Sequence, residues 1–133
     1  MQAVKSHITG ALNQGALIEA CDNSGAKLLK FITAKGSKTR KGRMPTAGVG
    51  DLILAAVKKG KPEMRKEVVL AVVVRQRRPY RRADGTRIFF ADNAAVVLKD
   101  DKGNPKGTIF KGPIAKEATS RWPGIAKIAS IIV

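Results

Sequence analysis

The hydrophobic residues of this chain occur in short runs rich in Val, Ile and Leu, and turn-forming residues separate these runs. Short runs of this kind, bounded by Gly, Asp, Asn and Pro, are typical of β-strands. Residues 68–74 are all apolar, which is the pattern of a strand covered on both faces. The pattern therefore predicts five main strands, at residues 17–21, 26–34, 52–57, 68–74 and 94–98.

The other segments carry turn and helix signals. The dipeptide Asp84-Gly85 lies between two further extended segments and is a strong short-range signal for a hairpin. After residue 113, apolar residues such as Ile114, Ala118 and Ile125 have helical spacing, which predicts two short C-terminal helices. Five or six short strands followed by a helical tail favour a mainly β fold, a small closed or partly open barrel, and we predict a five-stranded β-barrel. A sandwich is the alternative, because one sequence does not give the strand order.

The length of 133 residues predicts a single domain. We expect an N-terminal extension at residues 1–15, a barrel with basic arms at residues 16–112 and a short helical segment at residues 113–133. No apolar run approaches the roughly 20 residues of a membrane-spanning helix, and residues 1–15 lack the apolar stretch of a secretory signal. The lone cysteine, Cys21, cannot form an intrachain disulfide. These features predict a cytoplasmic protein without a membrane partner.

The charge balance points to a polyanionic partner. The chain has 26 Lys and Arg residues against 10 Asp and Glu residues, a formal net charge of +16. A charge of this size repels itself in the folded state unless an anion neutralises it. Nucleic acid is the first candidate. An anionic membrane surface is the second, but it requires a basic amphipathic helix, and the basic stretches here do not have that pattern.

Residues 36–50, which we call the first arm, contain several glycines and Pro45 but few apolar residues. Such a segment is a loop or hairpin arm that needs an external partner, and phosphate oxygens would hold it through Lys and Arg donors. The alternative is a solvated, flexible loop. Together with the residue just before the arm, the residues predicted to bind RNA are Lys35, Lys38, Arg40, Lys41 and Arg43.

Residues 75–82, the second arm, hold half of the arginines of the chain. Arginine grips phosphate with a planar fork and stacks on exposed bases, so an arginine-rich hairpin that also contains Gln76 and Tyr80 favours folded RNA as the partner. Aromatic residues make up only 5% of the chain, which disfavours a platform that stacks successive bases. We interpret most of the phenylalanines as core. The RNA-binding residues predicted here are Arg75, Arg77, Arg78, Arg81 and Arg82.

Catalytic chemistry has little support in the sequence. The only histidine, His7, lies in the N-terminal extension, so an arrangement of nucleophile and histidine would depend on that segment. Asp100 and Asp101 could bind a metal in principle, but the Gly-Asn-Pro that follows makes a surface turn the favoured interpretation. We therefore expect no enzyme activity, no catalytic residue, no metal, no cofactor and no small-molecule substrate.

One spaced pattern resembles a known signature. It consists of residues 71–74 (Ala-Val-Val-Val), nine residues, Asp84-Gly85, four residues, Phe90, two residues, Asn93, two residues and Val96-Val97. This pattern is similar to the signature of the L-fourteen family of universal large-subunit ribosomal proteins. The segments 75–77, 80–82 and 122–123 resemble the archaeal and eukaryotic branch, and the short N-terminal extension favours the archaeal type.

The resemblance implies a barrel of about five strands with a projecting β-ribbon and short C-terminal helices. It implies a structural role in the large ribosomal subunit of the cytoplasm, with large-subunit ribosomal RNA as the main partner. Further implied partners are a neighbouring protein of the L-three family, the small-subunit RNA at an intersubunit bridge, and an anti-association factor on the C-terminal surface. By this resemblance, the residues expected near the subunit and factor face are Gly107, Thr108, Lys116, Arg121 and Lys127.

Residues of the signature are expected to be structural. Asp84 and Gly85 would form the hairpin turn, and Asn93 would fix a strand end through backbone hydrogen bonds. The main alternative for the whole chain is a free nucleic-acid-binding module, such as a chromatin protein or an RNA chaperone, that acts outside the ribosome.

Overall fold

The computed structural model of this chain describes residues 8–36 and 39–133. Two short helices follow a series of strands, as the sequence predicts. The strands are β1 (Leu12–Asn13), β2 (Leu17–Ala20), β3 (Ala26–Ala34), β4 (Thr46–Ala47), β5 (Leu52–Gly60), β6 (Val68–Arg75), β7 (Tyr80–Arg81), β8 (Arg87–Ile88) and β9 (Ala94–Leu98). The helices are α1 (Lys116–Arg121) and α2 (Pro123–Ile128).

Five of the strands close into a barrel in the order β2-β3-β5-β6-β9. Neighbouring strands are antiparallel except at the closure, where β2 and β9 run parallel with Glu19 opposite Ala94. Closure leaves none of the five strands as a free edge of the sheet. The prediction of a small five-stranded barrel is confirmed, and the sandwich alternative is excluded.

Two hydrophobic clusters use opposite faces of β6 and β9. Ala71 and Val73 point into the barrel, where they meet Phe31 and Ile53 of neighbouring strands. The alternate residues of β6 belong to a second cluster, which contains Trp122 and other residues of the C-terminal helices. Because successive side chains of a strand point to opposite faces, a strand covered on both sides must be apolar at every position. This explains the apolar run at residues 71–74, which are fully buried, whereas Val68 at the start of the strand is 61% exposed.

The C-terminal helices are short because their sequences contain strong breaks. Trp122 ends α1 and also caps the start of α2, with its backbone N–H donating to Ala118 O at 3.0 Å. Pro123 occupies the first position of α2, where its missing N–H costs no intrahelical hydrogen bond. None of the helices among the described residues is long and apolar enough to cross a membrane.

Two boundaries differ from the sequence expectation. Strand β5 continues through Lys58 and Lys59 to Gly60, because these lysines extend the ladder with β3 while their side chains reach solvent. The first arm contains the short strand β4, which pairs with β1 and places Leu12 opposite Ala47. Both of these side chains are buried, so the described part of the N-terminal segment packs onto the barrel.

Candidate nucleic-acid interface

The first arm displays its cations to solvent. Residues 39–44 are all exposed, and Arg40, Lys41 and Arg43 have no ion pair or side-chain hydrogen bond to any described residue. Lys35, just before the arm, is exposed and lies 3.3 Å from Asp101 Oδ2. Lys38 lies outside the described residues. The arrangement agrees with an arm that has no internal partner for its charge.

The second arm leads into a hairpin, β7 and β8, that turns at Asp84-Gly85. The Thr86 backbone N–H donates to Asp84 Oδ1 at 3.0 Å, and Gly85 has a φ of 91°, which glycine adopts without strain. The Asn93 side chain accepts a hydrogen bond from the Arg77 backbone N–H at 2.8 Å. The structural roles predicted for these signature residues are therefore confirmed.

Gln76 joins the bases of the two arms. This side chain is fully buried, and its Oε1 accepts a hydrogen bond from the Val49 backbone N–H at 3.0 Å. Its Nε2 donates to Arg78 O at 2.8 Å and to Thr9 O at 3.2 Å. Val49 lies at the end of the first arm and Arg78 within the second. The two basic arms therefore leave the barrel side by side.

The N-terminal segment packs at the same place. The Ala11 backbone N–H donates to Ala47 O at 2.9 Å, and Arg78 Nη1 donates to Gly10 O at 3.1 Å. A Cβ atom added at Gly48 would lie 3.0 Å from Thr9 O, so this glycine permits the close approach of the two backbones. Residues 9–11 therefore contact both arms and help to fix the distance between the arms.

The position of Arg75 differs from the sequence expectation of a cation displayed to RNA. Arg75 is buried, and its Nε and Nη2 donate to the two carboxylate oxygens of Asp92 at 2.9 and 3.1 Å. Its Nη1 donates to Lys111 O at 2.8 Å and Pro113 O at 3.0 Å. The strand β6 places this side chain under the segment that leads to α1. Arg75 therefore holds that segment to the barrel, and we do not assign it to the RNA surface.

Arg82 is also engaged within the chain. Its Nε donates to Glu117 Oε1 at 2.7 Å, and its Nη2 donates to Val133 O at 2.7 Å. The Tyr80 hydroxyl donates to Glu117 Oε2 at 2.8 Å. Burial acts to raise the pKa of Glu117, but the hydrogen bonds from Arg82 and Tyr80 outweigh it and lower that pKa below its ordinary value. This network attaches the hairpin to α1 and to the C-terminus.

Two further residues of the second arm are buried rather than available to RNA. Tyr80 is 1% exposed and belongs to the same hydrophobic cluster as Trp122. The buried Gln76 side chain is hydrogen-bonded to backbone groups of Val49, Arg78 and Thr9. Burial, followed by the hydrogen bond to Glu117, raises the pKa of the Tyr80 hydroxyl. Gln76 and Tyr80 are thus members of the arginine-rich hairpin whose side chains face the interior of the protein. Their exposed neighbours Arg77, Arg78 and Arg81 carry the positive charge of this arm.

The residues expected at the subunit and factor face fall into two groups. Lys116 and Lys127 are exposed on α1 and α2, whereas Arg121 donates to Gly50 O at 3.0 Å and lies over the Trp122 ring at 5.2 Å. The other group, Gly107 and Thr108, packs on the turn between β2 and β3. There Asn23 Oδ1 accepts from the Thr108 backbone N–H at 2.7 Å, and a Cβ at Gly107 would lie 2.8 Å from the same oxygen.

The acidic turn after β9 has the geometry of a structural turn. Asp100 Oδ1 accepts hydrogen bonds from the Lys102 backbone N–H at 3.0 Å and from the Asn104 backbone N–H at 3.4 Å. Asn104 Nδ2 donates to Asp100 Oδ2 at 2.9 Å. In the part of the chain that the structure describes, no group of three His, Cys, Asp or Glu side chains could hold a metal ion. His7 lies outside that part.

Comparison with known proteins identifies the family. The family model for ribosomal protein L14p/L23e matches residues 11–133. This chain belongs to the L14p/L23e family. It is 53% identical to the large ribosomal subunit protein uL14 of Nanoarchaeum equitans and 56% identical to that of Picrophilus torridus. The protein of the same name from Halobacterium salinarum is 53% identical. Each comparison covers all 133 residues of this chain and the full length of the relative.

Membership of the L14p/L23e family confirms several predictions together. These archaeal relatives agree with the archaeal and eukaryotic branch that the segments of the second arm and Trp122-Pro123 resembled, and with the archaeal type that the short N-terminal extension favoured. The family is structural and non-enzymatic, so the chain is a structural protein of the large ribosomal subunit in the cytoplasm. Membership of the L14p/L23e family does not by itself assign a role to each individual cation.

Proposed function

We propose that this protein binds large-subunit ribosomal RNA through the exposed cations of the two arms, which act as one surface. The observation that carries the proposal is the contact of Gln76 with both arm bases, Val49 and Arg78, because it fixes the arms side by side. A positively charged surface of this kind neutralises closely spaced phosphates and releases their counterions. The residues proposed to contact RNA are Lys35, Lys38, Arg40, Lys41, Arg43, Arg77, Arg78 and Arg81.

Internal ion pairing supports this choice of residues. Among the described residues, the ion pairs of Arg75, Arg82 and Arg121 join cations that are mostly shielded from solvent to carboxylates of the barrel or α1. These cations stabilise the protein rather than bind a partner. The other described cations of the arms are exposed, and they form no ion pair with a described acidic residue. Lys35, just before the first arm, is exposed but lies near Asp101. The cations thus form two groups, arginines that stabilise the fold and exposed Lys and Arg residues that remain available to phosphate.

The mechanism is electrostatic and geometric. The barrel fixes where each arm leaves the protein, and the arms supply Lys and Arg donors to phosphates of RNA segments that would otherwise repel one another. Arginine forks also bind two phosphate oxygens at once, which favours a defined orientation over diffuse attraction. The protein would therefore stabilise the packing of ribosomal RNA without chemical change to the RNA.

Salt titration of RNA binding tests this function. If about eight cations contact phosphates, log K plotted against log salt concentration falls with a slope of about −6 to −7. The measurement is filter binding of the full chain to archaeal large-subunit ribosomal RNA over a range of KCl concentrations. A slope shallower than about −2 contradicts the assignment of the arms.

We also propose that the C-terminal helices face other components of the ribosome. Lys116 and Lys127 are exposed there, next to the exposed apolar tail at Ile131, Ile132 and Val133. An apolar patch beside cations suits both a protein surface and nearby RNA. The proposed partners are an anti-association factor and small-subunit RNA at a bridge, with Gly107, Thr108 and Arg121 shaping the surrounding surface.

A neighbouring protein of the L-three family completes the proposed set of partners. Crosslinking within purified large subunits, followed by mass spectrometry, tests this contact directly. Sedimentation tests the free nucleic-acid-binding alternative in the same preparation. A ribosomal component migrates with large subunits in stoichiometric amount, whereas a free module migrates with DNA or free RNA.

A further inference from the structure

Phe89 is a large aromatic residue whose side chain is exposed to solvent. Its side chain is 69% exposed, whereas Phe31, Phe90 and Phe110 are buried. A phenylalanine on the surface forgoes the free energy that burial of its ring would provide. Single exposed apolar residues are common, so exposure alone does not assign a function to Phe89. The charged residues around Phe89 provide the further argument.

The ladder between β7 and β8 sets the direction of this ring. Tyr80 pairs with Ile88 and Arg81 pairs with Arg87. Because side chains alternate along a strand and paired residues share a face, the buried Tyr80 marks the inner face and the exposed Arg81 marks the outer face. Phe89 lies one residue beyond β8, but exposure continues to alternate there. Arg87 and Phe89 are exposed, whereas Ile88 is half-buried and Phe90 is buried, which places the Phe89 ring on the outer face with both arginines.

The segment that carries Phe89 also lies next to cations of the second arm. The Phe90 backbone N–H donates to Gln76 O at 3.0 Å, which holds the segment of Phe89 against the segment that contains Arg77 and Arg78. The acidic residues of this region are already engaged. Asp84 caps the hairpin turn through Thr86, and Asp92 is paired with Arg75. The outer face is therefore one aromatic ring among cations that have no described acidic partner.

We propose that Phe89 stacks on one unpaired base of ribosomal RNA while Arg81 and Arg87 bind the phosphates beside that base. This inference rests on the proposed function and adds a base contact to it. Aromatic rings stack on bases that are splayed out from loops or bulges, and a single ring suits a single base. The paired bases of a continuous helix offer no free face to the ring.

The charge around Phe89 favours RNA over a protein partner. Protein interfaces usually surround an aromatic anchor with further apolar residues and are depleted of charge at their centre. The outer face of the hairpin has the opposite composition, with Arg81 and Arg87 opposite one another across the ladder. Phosphate neutralises these charges, and the adjoining base covers the ring.

The test compares four variants of the full chain, Phe89→Ala, Phe89→Leu, Phe89→Tyr and the control Ile109→Ala. Ile109 is also exposed, at 61%, but lies outside both arms. Binding is measured to archaeal large-subunit ribosomal RNA, which contains loops and bulges, and to a fully paired RNA duplex. Circular dichroism checks that each variant folds, which is expected because the altered side chains are exposed.

We expect Phe89→Ala to weaken binding to ribosomal RNA by about 5- to 150-fold, the range of one base stack, and to leave duplex binding unchanged. Phe89→Leu should behave like Phe89→Ala, whereas Phe89→Tyr should bind like the native chain. The salt slope should stay the same in all of them, because a stacked base carries no charge of its own.

Three results would overturn the proposed stacking of Phe89. The first is native-like binding by Phe89→Ala. The second is native-like binding by Phe89→Leu, which would show that an apolar side chain suffices without an aromatic ring. The third is an equal loss of binding to the paired duplex, which contradicts contact with an unpaired base. Failure of the proposed function gives a different result, a shallow salt slope for the native chain, so the two proposals fail separately.

Discussion

The buried side chain of Gln76 accepts a 3.0 Å hydrogen bond from the Val49 backbone N–H, across 27 positions of the chain. This one contact links the end of the first basic arm to the start of the second. It matters for function because a charged surface binds an RNA of fixed shape best when its own geometry is already fixed.

Replacement of Gln76 by a residue of similar size without hydrogen-bonding groups tests the link. In Gln76→Met, the buried Val49 N–H loses its acceptor, so we expect a loss of about 1–3 kcal/mol in the free energy of unfolding. Urea unfolding measures this loss of stability. The control is Arg77→Ala, which changes the neighbouring exposed residue. RNA affinity should fall with no change in the salt slope, because all the cations remain. A stability change within about 0.5 kcal/mol would show that the contact is dispensable.

The charges of the first arm should be visible in the salt dependence. The double variant Arg40→Ala with Arg43→Ala removes two phosphate contacts, so we expect the slope of log K against log salt to become shallower by about 1.4 to 1.8. The matched control removes Lys58 and Lys59, which are exposed near the opposite end of β5 from the arm. An equal change in both double variants would mean that the charge acts without regard to position.

The barrel was predictable because its strands carry a local signal. The run at residues 68–74 and the spacing of Asp84-Gly85 from Asn93 depend only on neighbouring residues, and both correspond to observed elements. The pairing of Leu12 with Ala47 was not predictable. Strands of two residues have too few positions for an alternation to appear, and their partner is distant in the chain.

The candidate site was predictable as charge but not as geometry. Every arginine of the second arm looks alike in the sequence, yet Arg75 and Arg82 are held by Asp92 and Glu117, which lie 17 and 35 positions away. One local signal was available. Gln76 and Tyr80 lie four positions apart and, with Pro79, are the uncharged members of the arm. An even spacing of uncharged side chains is the pattern of an inward-facing side of an extended segment.

Arg75 and Arg77 should respond to substitution in opposite ways. In Arg75→Met, Asp92 loses its ion pair and two backbone carbonyls lose their donor, so we expect a loss of about 2–3 kcal/mol in unfolding free energy. That is below the cost for a fully buried pair, because the Asp92 side chain is 34% exposed. Arg75→Lys should recover only part of the loss, since an ammonium lacks the planar fork.

The comparison variant Arg77→Ala should leave stability almost unchanged and weaken RNA binding, because this side chain is exposed and has no ion pair to a described residue. Thermal unfolding and filter binding on the same samples separate the two effects. If Arg75→Met instead weakened RNA binding while stability stayed native, Arg75 would have to be returned to the RNA surface.

The acid stability of the protein should depend on Glu117. Its folded pKa lies below the ordinary value of 4.5, so its ionised form stabilises the protein at pH values above 4.5. This stabilisation is lost as the pH falls through the folded pKa. We expect Glu117→Gln to cost about 1–2 kcal/mol at pH 7 and to approach the native stability as the pH falls through the lowered folded pKa of Glu117. Urea unfolding at a series of pH values measures this convergence, and a constant difference would contradict it.

Asp22 should affect the pH dependence of stability in the opposite direction from Glu117. This buried carboxylate accepts hydrogen bonds from the Val97 backbone N–H at 2.9 Å and the Ser24 hydroxyl at 2.8 Å, but burial outweighs them and raises its pKa above 3.8. The folded state then holds the proton more tightly than the unfolded state, so ionisation of Asp22 lowers stability as the pH rises through its folded pKa. In Asp22→Asn, the amide can accept from Val97 and donate to Ser24, and the stability relative to the native chain should increase with pH. A decrease with pH, as expected for Glu117→Gln below pH 4.5, would show that the hydrogen bonds outweigh burial at this site.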